Sequence, residues 1–160
     1  MEVERKFMLK SFSATVRKRA VKKLSVEQIY FDLFRIRKMG AEYFITVKKG
    51  KGLVRHEWEE KIPQWVFDVL KKGKTRGVVM KTRYFIPSEG ARTIEVDVYK
   101  GALAPLITFE CEFKSVKDAR AFLPPAWTGD CMEVTGVRGF TNRFLARHGL
   151  PRAVYEFYER

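Results

Sequence analysis

Only two of the 160 residues are cysteines, Cys111 and Cys131, and their spacing fits no zinc site. A single pair is too thin a disulfide framework for a small secreted domain, so both are read as free, unreactive thiols. Histidine is equally scarce, with His56 and His148 alone, and no Ser/His/Asp or Cys/His catalytic arrangement is evident. His56 falls on the opposite strand face from Arg55 and Glu57. His148 closes the last turn of an expected helix, where a cationic side chain suits the dipole. No apolar run approaches the roughly 18 residues that a membrane span needs, and there is no internal repeat or low-complexity tract. Glu2, Glu4, Arg5 and Lys6 stand where a signal peptide would carry its apolar stretch. A cytoplasmic protein with no membrane partner is therefore expected. Acid is also in short supply: 19 Asp and Glu face 32 Lys and Arg, leaving a formal charge of +13 and a pI near 9.9. That balance favours a polyanionic partner.

What is present is apolar material in quantity, 46% of the residues, including 13 Phe, 6 Tyr and 3 Trp. This excludes a disordered basic tail and supports one domain over residues 1–160. Period-two alternation marks eight strands: Glu2 to Phe7, Gln28 to Phe31, Leu33 to Lys38, Glu42 to Lys49, Val54 to Ile62, Val78 to Ile86, Arg92 to Tyr99 and Ile107 to Lys114. Short turns at Met39-Gly40, Gly50 to Gly52 and Pro87 to Gly90 favour antiparallel neighbours. Helices are expected from Pro63 to Gly73, after the N-cap candidate Ser115, and from Thr141 to His148 before Gly149. The basic stretch Arg17 to Lys23 reads as a solvated helix surface.

One face of these strands is heavily charged, and the positions between are mainly apolar or small. An exposed sheet face scatters Ser, Thr, Gln and Lys among its charges, whereas here acids recur in pairs two residues apart: Glu2/Glu4, Glu57/Glu59, Glu95/Asp97 and Glu110/Glu112. Carboxylates so placed repel unless a cation lies between them, and the Arg35/Arg37 and Lys81/Arg83 pairs repel unless an anion does. A barrel closed with its charged face inward meets both demands, with divalent cations on the acid wall and phosphate oxygens on the basic walls. Eight strands is near the number that leaves room for one small ligand. The expected fold is α+β: a closed eight-stranded antiparallel β-barrel, a tunnel with charged interior and a few flanking helices.

The ordered residues Glu2-Val3-Glu4-Arg5-Lys6-Phe7, Glu27-Gln28-Ile29-Tyr30, Arg35-Ile36-Arg37, Thr46-Val47-Lys48, Arg55 with Glu57 and Glu59, Lys81-Thr82-Arg83-Tyr84, Glu95-Val96-Asp97-Val98, Glu110-Cys111-Glu112 and Glu133-Val134-Thr135 resemble the CYTH superfamily, the triphosphate tunnel metalloenzymes, over residues 1 to about 145. The opening run matches that family's ExExK signature and is similar to the small bacterial inorganic triphosphatases. The resemblance implies metal-dependent hydrolysis of a triphosphate, most simply inorganic triphosphate. The alternatives are a class IV-type adenylyl cyclase or a thiamine or nucleoside triphosphatase, and, outside enzymes, a polyphosphate- or nucleic-acid-binding module. A nucleic-acid partner is disfavoured because the basic residues share strand faces with acid pairs.

The cofactor expected is Mg2+ or Mn2+, held by Glu2, Glu4, Asp97, Glu110 and Glu112, since hard cations take carboxylate oxygens. Glu57, Glu59 and Glu95 are supporting acids. The small polyphosphate substrate would be gripped by the forks of Arg35, Arg37, Arg55 and Arg83 and by Lys6, Lys48 and Lys81 as point charges. Lys6, Tyr30 and Lys48 are the catalytic candidates. Tyr30 either orients a lysine or the leaving phosphate, or fills the tunnel mouth as an aromatic. A homodimer stays open.

Overall fold

The computed structural model describes all of residues 1–160. In chain order the elements are β1 (Glu2–Leu9), α1 (Ala14–Arg17), β2 (Lys22–Tyr30), β3 (Arg35–Met39), β4 (Glu42–Lys49), β5 (Val54–Lys61), α2 (Gln64–Lys71), β6 (Val78–Ser88), β7 (Arg92–Tyr99), β8 (Ile107–Phe113), α3 (Val116–Ala121), β9 (Cys131–Glu133), α4 (Asn142–His148) and α5 (Arg152–Glu159). Every strand pairing is antiparallel, in the order β5-β4-β3-β2-β6-β7-β8-β1. The ring closes where β1 meets β5, with Glu2 opposite Arg55 and Val3 opposite Val54. Beyond that short seam the free side of β1 is taken by β9, which pairs with Phe7 to Leu9.

Alternation sends the apolar set outward, and three helical covers bury it. Phe7, Phe109, Phe113 and Phe122 form one cluster under α3, with Phe7 and Phe109 stacked at 4.7 Å. Ile29, Ile36 and Phe67 form another under α2. The third, beneath α4 and α5, takes in Met8, Tyr30, Val79 and Tyr99 together with Leu145, Val154 and Phe157. Those first four share the strand face of the interior charges, so the polar lining gives way to apolar side chains where α4 and α5 cross the barrel end. Arg5, on the outer face of β1, binds both carboxylate oxygens of Glu133 at 2.8 Å and the carbonyls of Ala119 and Phe122, tying β9 and α3 to the wall. Tyr158 of α5 donates to the carbonyl of Leu9 at 2.7 Å and accepts from the amide of Ile107.

Three differences from the sequence reading stand out. The stretch Arg17 to Lys23 is not one helix surface: α1 stops at Arg17, and β2 begins at Lys22, because Lys22 to Ile29 pair residue by residue with β6. β9 and α5 were not anticipated: the three residues of β9 carry no period, and α5 runs to Glu159 with no glycine beyond it to mark an end. Pro63 precedes α2 as its N-cap rather than lying within it. Cys111 and Cys131 are both free, and burial pushes the Cys111 thiol up to about 11, which leaves it unreactive.

Candidate active site

A cavity of about 1420 Å³ runs inside the barrel, from the β6–β7 hairpin at Gly90 to Thr93 to a rim formed by Gly50 to Gly52 and the segment Thr135 to His148. The strand period that makes the outer wall apolar leaves only alternate residues to line it. Of the expected site residues, Glu2, Glu4 and Lys6 reach it from β1, Tyr30 from β2, and Arg35 and Arg37 from β3. Lys48, Arg55, Glu57 and Arg83 reach it from β4 to β6, and Glu95, Glu110 and Glu112 from β7 and β8. Because β3 and β8 are diametric in the strand order, the Arg35/Arg37 pair faces the Glu110/Glu112 pair across the lumen.

Three expected residues do not line the cavity: Glu59, Lys81 and Asp97. Lys81 and Asp97 are shut into the wall at 1% and 0% exposure. The Lys81 ammonium lies 2.5 Å from Asp97, and Arg83 grips the same carboxylate at 2.8 and 2.9 Å. Asp97, expected as a metal ligand, and Lys81, expected as a substrate contact, are thus bonded to each other in the wall. Against the effect of burial, Arg83 and Lys81 hold the Asp97 carboxyl below its ordinary value, while burial pushes the Lys81 ammonium down to about 8. Asp97 also orients Arg83. Glu59 does the same for β3, accepting from Arg37 at 3.1 Å and from the Thr46 hydroxyl at 2.7 Å.

The remaining charges are unevenly matched. Glu110 is well supplied, 3.0 Å from Lys6 and 3.4 Å from Arg83. Burial opposes its charge, but Lys6, Arg83 and Lys81 hold it well below the usual carboxylate range. Burial likewise opposes the Lys6 ammonium, yet Tyr99 and Glu110 keep its pKa above the ordinary lysine value. Around Glu4 the balance reverses: burial and the neighbouring Glu110 push its carboxyl up to about 8 even though Arg55 is hydrogen-bonded to it. Glu112 forms no ion pair, and burial, Glu2 and Glu57 raise it. On β3 the shortage is of anions. The buried Nε groups of Arg35 and Arg37 have no partner, Arg35 comes only to 4.0 Å of Glu59, and burial together with Arg35 lowers the Arg37 pKa.

The unpaired Glu112 on β8 and the crowded acids around Glu4 on β1 are what a divalent cation would relieve, and the unpartnered Nε groups of Arg35 and Arg37 on β3 are what a phosphate would. Glu2, Glu4 and Glu112 offer hard oxygen donors, which suit magnesium or manganese. No three acidic, histidine or cysteine side chains yet converge as a preformed cage.

Sequence reasoning passed over several lining residues. Gln28, at 1% exposure, donates to the Tyr30 hydroxyl at 3.3 Å, and its parity with Tyr30 on β2 was the available signal. Arg138, Arg143 and Arg147 join the rim from a segment more than a hundred residues further on, for which no local pattern exists. His148 also reaches the rim, its ring tilted against that of Phe144 with centroids 4.5 Å apart.

Residues 1–134 match the model of the CYTH domain. The chain is 35% identical over 151 residues to an inorganic triphosphatase of Nitrosomonas europaea, covering 91% of this chain and 96% of that one. A solved structure of the inorganic triphosphatase NE1496 superposes with a TM-score of 0.67 at 32% identity, over 94% of this chain and 97% of the other. HpAC1 from Hippeastrum, a protein with a dominant triphosphatase activity, shares the fold at a TM-score of 0.73 with 17% identity, over 94% and 97% of the two chains.

Proposed function

The chain belongs to the CYTH domain family, and from that premise we propose that it is a metal-dependent triphosphatase whose substrate is inorganic triphosphate. The observation that carries the reading is the pair of buried, unpartnered Nε groups on Arg35 and Arg37 facing a wall of surplus carboxylate. Similarity to an inorganic triphosphatase over nearly the whole chain supports the same substrate.

Phosphoanhydride hydrolysis asks a protein for position and charge rather than covalent chemistry. Arg35 and Arg37 offer planar forks to phosphate oxygens from one wall. Arg55, Arg83, Lys6 and Lys48 surround the chain from the others, and Lys81 and Asp97 keep Arg83 aimed. Tyr30, with its hydroxyl fixed by Gln28 and its strand neighbour Arg35 alongside, orients a terminal phosphate. Lys6, 3.0 Å from Glu110, and Lys48, 2.8 Å from Glu57, stabilise charge that develops on the leaving oxygen.

The charge count explains the need for metal. Lys6, Arg35, Arg37, Lys48, Arg55, Lys81 and Arg83 are matched by Glu2, Glu4, Glu57, Glu59, Glu95, Asp97, Glu110 and Glu112, so the inner wall is close to neutral before a highly charged anion enters. Glu2, Glu4 and Glu112, with Glu110 nearby, would hold magnesium or manganese, which would supply the missing positive charge and polarise phosphoryl oxygens.

Phosphate release from inorganic triphosphate, thiamine triphosphate and ATP, each with Mg2+, Mn2+ or chelator, tests the proposal. Fastest release from inorganic triphosphate and none in chelator is the expected result. Cyclic AMP from ATP would assign the chain to the cyclases, and binding without any release would make it a polyphosphate-binding module.

A further inference from the structure

α4 lies across the barrel end at which β2 finishes, and one of its side chains bears on the tyrosine of the cavity wall. Arg143 donates from Nη1 to the carbonyl of Phe31 at 2.6 Å and to that of Asp32 at 3.3 Å. Its guanidinium carbon stands 5.3 Å from the centroid of the Tyr30 ring. It has no carboxylate partner, and it lines the same cavity as Tyr30 and Arg35. Asp32, in the turn that follows Tyr30, is paired with Arg76 at 2.9 Å and with Arg147 of α4 at 3.2 Å. The two residues after Tyr30 are thus bound to α4 through both backbone and side chain.

Tyr30 needs such support. Its hydroxyl meets Gln28 at 3.3 Å and lies beside the Arg35 guanidinium, contacts at one atom that leave the ring plane to be set by whatever packs on its face. A cation over an aromatic face, anchored independently on two carbonyls, fixes that plane and the depth of the ring together. Lysine offers the charge but not the fork, so it supplies only part of this.

We propose that Arg143 is a positioning residue: it holds the Tyr30 hydroxyl at the height where it meets a phosphate carried by Arg35. The inference rests on the reading of Tyr30 as a catalytic group. Arg143 is not needed to keep α4 in place. The helix has its own N-cap, the Thr141 hydroxyl accepting from the amide of Phe144, and Leu145 is buried beneath it. Tyr99 donates to Asn142 at 2.6 Å, and the Ala146 backbone packs directly on Gly77.

Steady-state kinetics with inorganic triphosphate and Mg2+ on Arg143→Gln, Arg143→Lys, Tyr30→Phe and the Arg143→Gln/Tyr30→Phe double variant provide the test, with thermal unfolding of each as a check on folding. Arg143→Gln should lower kcat about ten-fold and leave KM within about two-fold, with Arg143→Lys intermediate. In the Tyr30→Phe background, where no hydroxyl remains to be placed, the same substitution should change kcat less than about two-fold. Full additivity of the two substitutions, or a rise in KM with kcat unchanged, would overturn the positioning role. An active parent with an equally active Tyr30→Phe variant would overturn it too, leaving the triphosphatase reading in place. A parent that hydrolyses no triphosphate would overturn that reading and this inference together.

Discussion

Arg37 and Arg17 carry the same charge in opposite circumstances. Arg37 is buried beside Arg35 with its Nε unpartnered, whereas Arg17 lies exposed on α1 with its guanidinium over the Phe12 and Tyr84 rings. A lysine at 37 cannot meet two phosphate oxygens at once, and one lost charge-assisted bond is worth roughly 1.5–3 kcal/mol, or about ten- to a hundred-fold in rate. Arg37→Lys should therefore lower kcat/KM for triphosphate by that factor while Arg17→Lys changes it less than about two-fold; the reverse order would place the phosphate site outside the barrel. Asp97 and Glu112 divide in a similar way. Asp97→Asn strips the partner from two buried cations and should cost about 3 kcal/mol, a fall of roughly 6–12 °C in Tm. Glu112→Gln, which breaks no ion pair, should abolish metal-dependent release while Tm holds.

Glu4 sets a pH dependence. Its folded value of about 8 exceeds the ordinary 4.5, so between these the folded chain keeps a proton that the unfolded chain has released. That stability is complete below pH 4.5 and is lost as the pH rises to about 8. Thermal unfolding in chelator should show the loss over this window, and Glu4→Gln should remove that part of it.

At the scale of elements, the fit of α4 depends on one glycine. Gly77, just before β6, has φ +124°, and a Cβ built there would stand 2.2 Å from the carbonyl oxygen of Ala146 in α4. Gly77→Ala must push the helix away or bend β6, at a cost of about 2–3 kcal/mol, or roughly 5–10 °C in Tm. Gly129, with φ +57°, ψ −136° and nothing within 4 Å of its Cβ position, is the control for backbone conformation alone, and its substitution by alanine should cost about 1–2 kcal/mol. Equal losses at the two sites would mean that backbone conformation alone, and not helix docking, governs Gly77. The elements themselves were readable to different degrees. The long strands announced themselves because burial on one face repeats every second residue, and α2 and α4 because of their flanking Pro and Gly. β9 has three residues, too few for any period, and exists because β5 leaves part of β1 uncovered.

For the whole molecule, the near-neutral set of interior strand charges leaves the +13 formal charge to the cavity rim, where Arg138, Arg143 and Arg147 stand, and to the outer surface. A positive exterior around a cavity for a polyanion steers the substrate inward, and the effect is screened by salt over about 10 Å at 0.1 M. At fixed Mg2+, kcat/KM for triphosphate should fall several-fold as monovalent salt rises from about 0.02 to about 0.2 M, with kcat nearly constant. A flat profile would mean that the outer charge plays no part in capture.

Alternation alone determined that this chain makes a sheet with one apolar and one charged face, and the repeated acid pairs required that the charged face turn inward, because like charges two residues apart need counterions that open water does not hold in place. Tertiary structure alone decided how those charges are matched. Asp97 was legible as an interior acid, but its withdrawal from the cavity follows from the neighbouring strand, which brings Arg83 opposite it and Lys81 diagonal to it. Glu4 and Glu112 became the underserved carboxylates only when β1 was laid against β8. Arg143 reached Tyr30 from 113 residues away through the docking of α4. Side-chain period is a local property, fixed by backbone geometry along one strand. The partner of a buried charge is a property of the neighbouring strand or helix, which the fold must first bring alongside.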